Sequence, residues 1–289
     1  MTTYRPGLAA IWMIGAMVSF TAMAIAGRYT AAELDTFELV MYRSFVGIAL
    51  VLGFGNIFGT LGQINTRHLH LHFFRNVFHF TGQNLWFLAL TLIPLAQLIA
   101  LEFTTPLWVI FLAPIFLGER LTPIKLLAAA LGFGGVLIVA RPDFSNLDPG
   151  ILAGASCAIG FAGAMIFTKI LTRDTSVTCI LFWLVIFQAV FGVICAGWDM
   201  DIAVPSLSVL PWVIVVSVGG LVAHLSITKA LTLAPATLVG PIDFFRLPFV
   251  AAVGMLLFSE PLEMLVFLGG GLILLANYLN LTQGNVAKT

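Results

Sequence analysis

The chain has 289 residues, 60% of them hydrophobic and only 9% charged, with a mean hydropathy of +1.07 and a formal net charge of zero. Soluble domains carry about 25% charged residues, so this composition excludes a water-soluble globule. The neutral balance, with no basic tract, argues against a nucleic-acid partner.

Apolar stretches of about 20 residues, separated by short polar or Pro/Gly-marked turns, mark membrane spans. In chain order they fall at 8–26, 37–55, 73–91, 95–117, 122–140, 149–170, 177–197, 208–229, 236–258 and 262–281. The first lies in "MTTYRPGLAAIWMIGAMVSFTAMAIAG", which has no small-residue cleavage site, and is read as a retained span. Tight connections fall at Pro94 and Pro235. Backbone groups in lipid must be bonded internally, so the expected fold is an all-α integral membrane protein of ten transmembrane helices.

The positive-inside rule orients it. With the N-terminus in the cytoplasm, Arg5, Arg67, Arg75, Arg120, Lys125, Lys169, Arg173, Lys229 and Lys288 fall on that side, leaving Arg28 and Arg141 outside. Glu33, Asp35, Asp143, Asp148, Asp199, Asp201, Glu260 and Glu263 fall outside, so both termini are expected in the cytoplasm. Cys157, Cys179 and Cys195 lie in apolar stretches without paired spacing and read as packing.

An internal repeat organises the chain. "ALTLIPLAQLIALEF" (89–103) and "ALTLAPATLVGPIDF" (230–244) share five of their first six residues, and the same offset carries Glu119 onto Glu260. Chance similarity between oily helices does not readily give identities, a proline turn and an acid in one register. The expected halves are residues 1–145 and 146–289, with five helices each. An odd number inverts the second copy in the membrane, a frequent signature of secondary transporters with a site near mid-membrane. The offset also carries Glu102 onto Asp243.

Arg43, Glu102, Asp243 and Arg246 lie inside spans, where charge is costly and usually faces the bundle interior. The alternative reading is a structural ion-pair set. Glu102 and Asp243 are expected to face each other across a central cavity. Arg246 is three residues from Asp243 and able to pair with it; together with Arg43 it would bring the site close to neutral, which suits a zwitterionic or amphoteric solute. Span three presents Asn76, His79, Gln83 and Trp86 at helical spacing, and span eight presents Ser217, Gly220, His224 and Thr228. Phe103 and Phe244 neighbour these polar positions. His68, His70 and His72 in "RHLHLHFFR" lack an accompanying acid or cysteine and read as solvated interface residues, not metal ligands. Gly132, Gly134, Gly135 and Gly269, Gly270, Gly271 imply close helix contact. Pro106, Pro114, Pro241 and Pro248 bracket the acids and permit bending.

"ALTLIPLAQLIALEFTTPLWVIFLAPIFLGERLTP", followed by "LGFGGVLIVARP", resembles the EamA branch of the drug/metabolite transporter superfamily. The resemblance covers essentially the whole chain. It implies ten helices in two repeats, a cavity surrounded by spans one to four and six to nine, and a bacterial location in the inner membrane. The first repeat looks closest to uptake carriers of S-adenosylmethionine and riboflavin. The second copy has "SEP" where the first has "GER", so no signature role passes to Arg120.

The expected function is secondary active transport of a small polar metabolite by alternating access, with Arg43, Asn76, His79, Gln83, Trp86, Glu102, Phe103, His224, Asp243, Phe244 and Arg246 as candidate substrate-binding residues. Export of drugs or quaternary amines is the alternative. An intramembrane enzyme lacks support, since no GxSG with a partner His, HExxH or DDxxD motif occurs. A channel would use rings of like groups in an oligomer. No nucleotide-binding loop supports ATP-driven pumping. No cofactor is expected. The expected partners are the solute, the bilayer and protons as a candidate coupling ion, in a monomer or weak homodimer.

Overall fold

The computed structural model describes residues 5–118, 121–141, 148–234, 239, 242–243 and 245–286. Among them the chain is helical: α1 (Pro6–Thr30), α2 (Thr36–Ile57), α3 (Leu69–Leu92), α4 (Leu95–Glu102), α5 (Thr105–Leu117), α6 (Pro123–Ala140), α7 (Pro149–Leu171), α8 (Val177–Ala196), α9 (Leu210–Leu233), α10 (Arg246–Phe258) and α11 (Met264–Val286). Seven helical stretches are long and apolar enough to cross a membrane, counting α4 and α5 together, so this is a multi-pass membrane protein. α3 is not one of the seven; the polar residues expected along it lower its hydropathy.

Helix starts follow from local chemistry. The Asp35 carboxylate accepts the Glu38 N–H while Glu38 accepts the Asp35 N–H, a reciprocal cap that starts α2. Asp148 and Ser176 cap α7 and α8, and Pro123 and Pro149 stand where a helix needs no N–H donor.

The two halves interlock. The most extensive pairings are α3 with α7, α1 with α9, α6 with α11 and α2 with α8, each joining one half to the other. The repeat exchanges the α1–α9 and α7–α3 pairs and maps the other two onto themselves, as a pseudo-two-fold axis requires. Small residues permit the approach: a Cβ on Gly135 would lie 2.6 Å from the Gly269 carbonyl, and one on Gly160 2.6 Å from the Gly82 Cα. The main core gathers Leu90, Leu95, Leu98 and Leu101 with Leu247, Val250 and Ile273.

Span four, expected as one helix over 95–117, is broken at Phe103 and Thr104, directly after the half-buried Glu102. Pro106 has no N–H to give the Glu102 carbonyl, and the Thr105 hydroxyl supplies that bond at 2.7 Å. The Phe103 carbonyl instead receives the Asn277 amide at 2.7 Å. The break is therefore satisfied by side chains from its own turn and from α11. In span nine, α10 begins only at Arg246.

At the end of the bundle holding the α1–α2 connection, Arg28 donates to the carbonyls of Leu90 and Ile93, both at 2.8 Å, and pairs with Glu260. Glu260 also accepts the Leu95 N–H at 2.9 Å. Glu33 takes the Ser206 N–H and hydroxyl, and Tyr42 donates to the Ala203 carbonyl. These bonds hold the Ser206 hydroxyl and amide on Glu33, which keeps its carboxyl below the usual carboxylate range. Arg28 is thus part of a half-buried latch between helices and not simply a loop charge.

Candidate functional site

The charged centre is built between the break in span four and the first turn of α10. Arg246, the first residue of α10, donates to Glu102 Oε1 at 2.9 Å and lies 3.5 Å from Asp243 Oδ2. The second oxygen of Glu102 accepts the indole N–H of Trp86 at 2.8 Å. The Arg246 side chain is 4% exposed, against 18% for Glu102 and 22% for Asp243. Its guanidinium carbon lies 4.9 Å from the ring centroids of both Phe20 and Phe103. Glu102 and Asp243 therefore meet through one shared guanidinium, with Asp243 Oδ1 and Arg246 Nε buried and unbonded.

The expectation that Arg43 offsets these acids is overturned. Among the described residues Arg43 makes no ion pair, and its guanidinium instead lies against Gly220 of α9, 3.0 Å from where a Cβ would stand. Arg43 lines a pocket between α2, α8 and α9 with Ser44, Gln188, Ser217, Gly220 and His224. Arg75, expected at the cytoplasmic side, is buried, because it sits six residues inside a helix that starts at Leu69. Its partners are neutral: Thr168 Oγ1 at 3.2 Å and Asn76 Oδ1 at 3.1 Å. The interior thus holds three guanidiniums, of Arg43, Arg75 and Arg246, against the two carboxylates of Glu102 and Asp243, and is not neutral.

The polar stripe of α3 divides into parts. Asn76 is spent within the protein, donating to His72 and Trp183 carbonyls and accepting from Arg75. Gln83 is buried with both amide atoms unbonded, and His79 Nδ1 is likewise buried and unbonded. Trp86 belongs to the acidic centre. On α9, His224 is exposed toward the pocket and meets the Phe20 ring edge-on at 5.7 Å. Phe20 thus touches both His224 and Arg246, a bridging role with no charged or spacing signal in the sequence. Phe244 and the Glu119 and Arg120 of the first signature lie outside the described residues.

The histidine run also departs from expectation. His68 bonds Asp174 at 2.9 Å, while His72 is fully buried beside Trp183 and is not an interface residue. Among the described residues no cluster of three metal-capable side chains occurs.

A helical membrane bundle of two interlocked halves, with charge gathered between them, is an architecture suited to a membrane carrier. The EamA-like transporter family profile matches residues 7–141 and again 148–282, and the chain belongs to that family. It is a transporter. It is 25% identical to the S-adenosylmethionine uptake transporter of Rickettsia bellii over 90% of this chain and 88% of the relative. It is 27% identical to the riboflavin transporter of Brucella anthropi over 96% of this chain and all of the relative. One solved crystal structure aligns at a TM-score of 0.65 and 18% identity, covering 97% of this chain and 99% of its own, which shows a common fold.

Proposed function

We propose that the chain imports a small zwitterionic or amphoteric metabolite across a bacterial inner membrane by alternating access. The carrying observation is the Arg246 guanidinium held between Glu102 and Asp243, the repeat-matched acids of the two halves. Such a centre offers a carboxylate to a cationic group and a guanidinium to an anionic one, and exchange of partners reorganises both halves at once. Trp86, Phe103, Gln83, His79, His224 and Arg43 complete the binding surface, with Asn76 beside it. Solutes of the chemistry named for the relatives, S-adenosylmethionine and riboflavin, are the first to test. Export has weaker support, since the rickettsial relative is named for uptake.

In this reading the chain has ten spans in two inverted repeats, 1–145 and 146–289, with both termini cytoplasmic, and works as a monomer or weak homodimer. The Arg28–Glu260 latch then closes the outer side. Protons are the candidate coupling ion, carried by Glu102 whenever Arg246 leaves it.

The test is counterflow in proteoliposomes with labelled S-adenosylmethionine, riboflavin and a set of amino acids, followed by uptake under an imposed pH gradient. The expected result is saturable exchange of at least one solute, concentrated by the gradient in wild type but only exchanged by Glu102→Gln. No exchange of any solute would contradict the carrier site; equal accumulation by the variant would remove Glu102 as the proton carrier.

A further inference from the structure

The interior charges separate into two groups of opposite sign. Arg246, Glu102 and Asp243 act on one another. Arg43, Arg75, His79 and His224 form a second set in mutual electrostatic reach, and none of them is ion-paired to a carboxylate among the described residues. The α3 stripe joins the two: His79 belongs to the basic set and Trp86 to the acidic centre, seven residues or about 10 Å apart along the helix. Gln83 stands between them with its amide unbonded.

Two guanidiniums inside an apolar bundle, with no acid paired to them among the described residues, carry a large desolvation cost. Arg75 is at least held by Thr168 and Asn76. Arg43 has no hydrogen bond or ion pair among the described residues, yet it faces a pocket whose wall also holds His224 and the buried Ser217 and Gln188. A structural role would supply Arg43 with an acceptor; a binding role leaves it free for one brought by a ligand.

We infer that the pocket between α2, α8 and α9 binds an oxyanion group, carboxylate or phosphoryl, of the transported solute. Arg43 takes the oxyanion directly, His224 offers a ring N–H, and Arg75 supplies positive field from behind. The solute's cationic or hydrogen-bonding end lies toward Glu102 and Asp243. This rests on the carrier reading above and deepens it: the solute is extended, with opposite chemistry at its two ends. Arg75, unlike Arg43, is a positioning residue here.

The test uses purified full-length protein in nanodiscs of zwitterionic, net-neutral phosphatidylcholine, melted with sodium acetate or inorganic phosphate at constant ionic strength. An anion present at about ten times its Kd raises Tm by about 2–4 °C for a chain of this size. Acetate or phosphate is expected to give this saturable rise in wild type and in Glu102→Gln, and to lose it in Arg43→Gln and His224→Asn. Which anion acts distinguishes carboxylate from phosphoryl. Without anion, Arg43→Gln is expected to melt at or above the wild-type temperature, since the guanidinium gives up no hydrogen bond.

No rise with either anion, or an equal rise in Arg43→Gln, would overturn the inference. So would a rise seen only when phosphatidylglycerol is added, which would make the pocket a lipid-headgroup site. Arg43→Gln melting far below wild type would make the residue structural. A lost anion response with solute counterflow intact in Arg43→Gln defeats this inference alone. An anion response with no counterflow of any solute defeats the carrier site instead.

Discussion

Arg246 and Arg43 are both arginines inside the bundle, but they live in opposite circumstances. Arg246 has Glu102 at 2.9 Å, Asp243 at 3.5 Å and two aromatic rings over its guanidinium. Arg43 has none of these among the described residues, and a pocket in front of it. A saturated charge holds parts of a protein together and moves only when those parts exchange partners. An unsaturated one is a cost carried by the resting protein until a ligand offsets it. The same side chain thus marks the switching element in one place and the receiving element in the other.

The sharpest break of the comparison is Arg246→Gln. It strands two carboxylates inside the bundle, and removing one partner of a buried pair costs about 3–5 kcal/mol. The expected outcome is a large fall in melting temperature, relieved when Glu102→Gln is added. Equal melting of Arg246→Gln and wild type would place Arg246 with Arg43 and erase the distinction.

A smaller effect is expected at the break beneath the acidic centre. Thr105→Val keeps the shape but removes the hydroxyl that satisfies the Glu102 carbonyl, at a cost of about 1–3 kcal/mol. Thermal melts should show the loss, and a parallel Thr104→Val series tests whether it is specific to the Pro106 gap.

The smallest effect concerns the Glu33–Ser206 bonds at the far end of the bundle. Bonds from Ser206 depress the Glu33 carboxyl, so its contribution is present above the ordinary carboxylate range and is lost as pH falls through the depressed folded value. Glu33→Gln should therefore melt slightly below wild type near neutral pH, and the difference should close in strong acid. Both groups are exposed, so the gap is expected to be small. A gap that widens on acidification would contradict the assignment.

What could be read from sequence tracks how local the cause is. The Asp243–Arg246 pair was legible because a helix brings positions three apart together, and the Glu102–Asp243 match because the repeat shares one register. The Arg246–Glu102 bond was not, since it joins residues 144 positions apart through a crossing that periodicity does not encode. Arg75 was misplaced for a related reason: loop counting takes any cation near a span end as solvated, while α3 begins four residues earlier than its apolar run suggests. The break after Glu102 was foreshadowed by Pro106. Its place between Glu102 and Thr105 depends on the Thr105 hydroxyl and on Asn277 from α11, so the local sequence carried only half the signal. Phe20 had no signal, because an aromatic residue in an apolar span looks alike whether it packs on lipid or on a guanidinium.

The central claim is that the shared Arg246 centre is where solute and conformational change meet. The most direct measurement is counterflow affinity, in proteoliposomes, for whichever solute of the panel exchanges best, compared between wild type and Asp243→Asn. Loss of a charge-assisted contact is worth about 1.5–3 kcal/mol, so the account predicts affinity weakened by about tenfold or more, with the variant still folded. An unchanged affinity and exchange rate in a folded Asp243→Asn protein would contradict it.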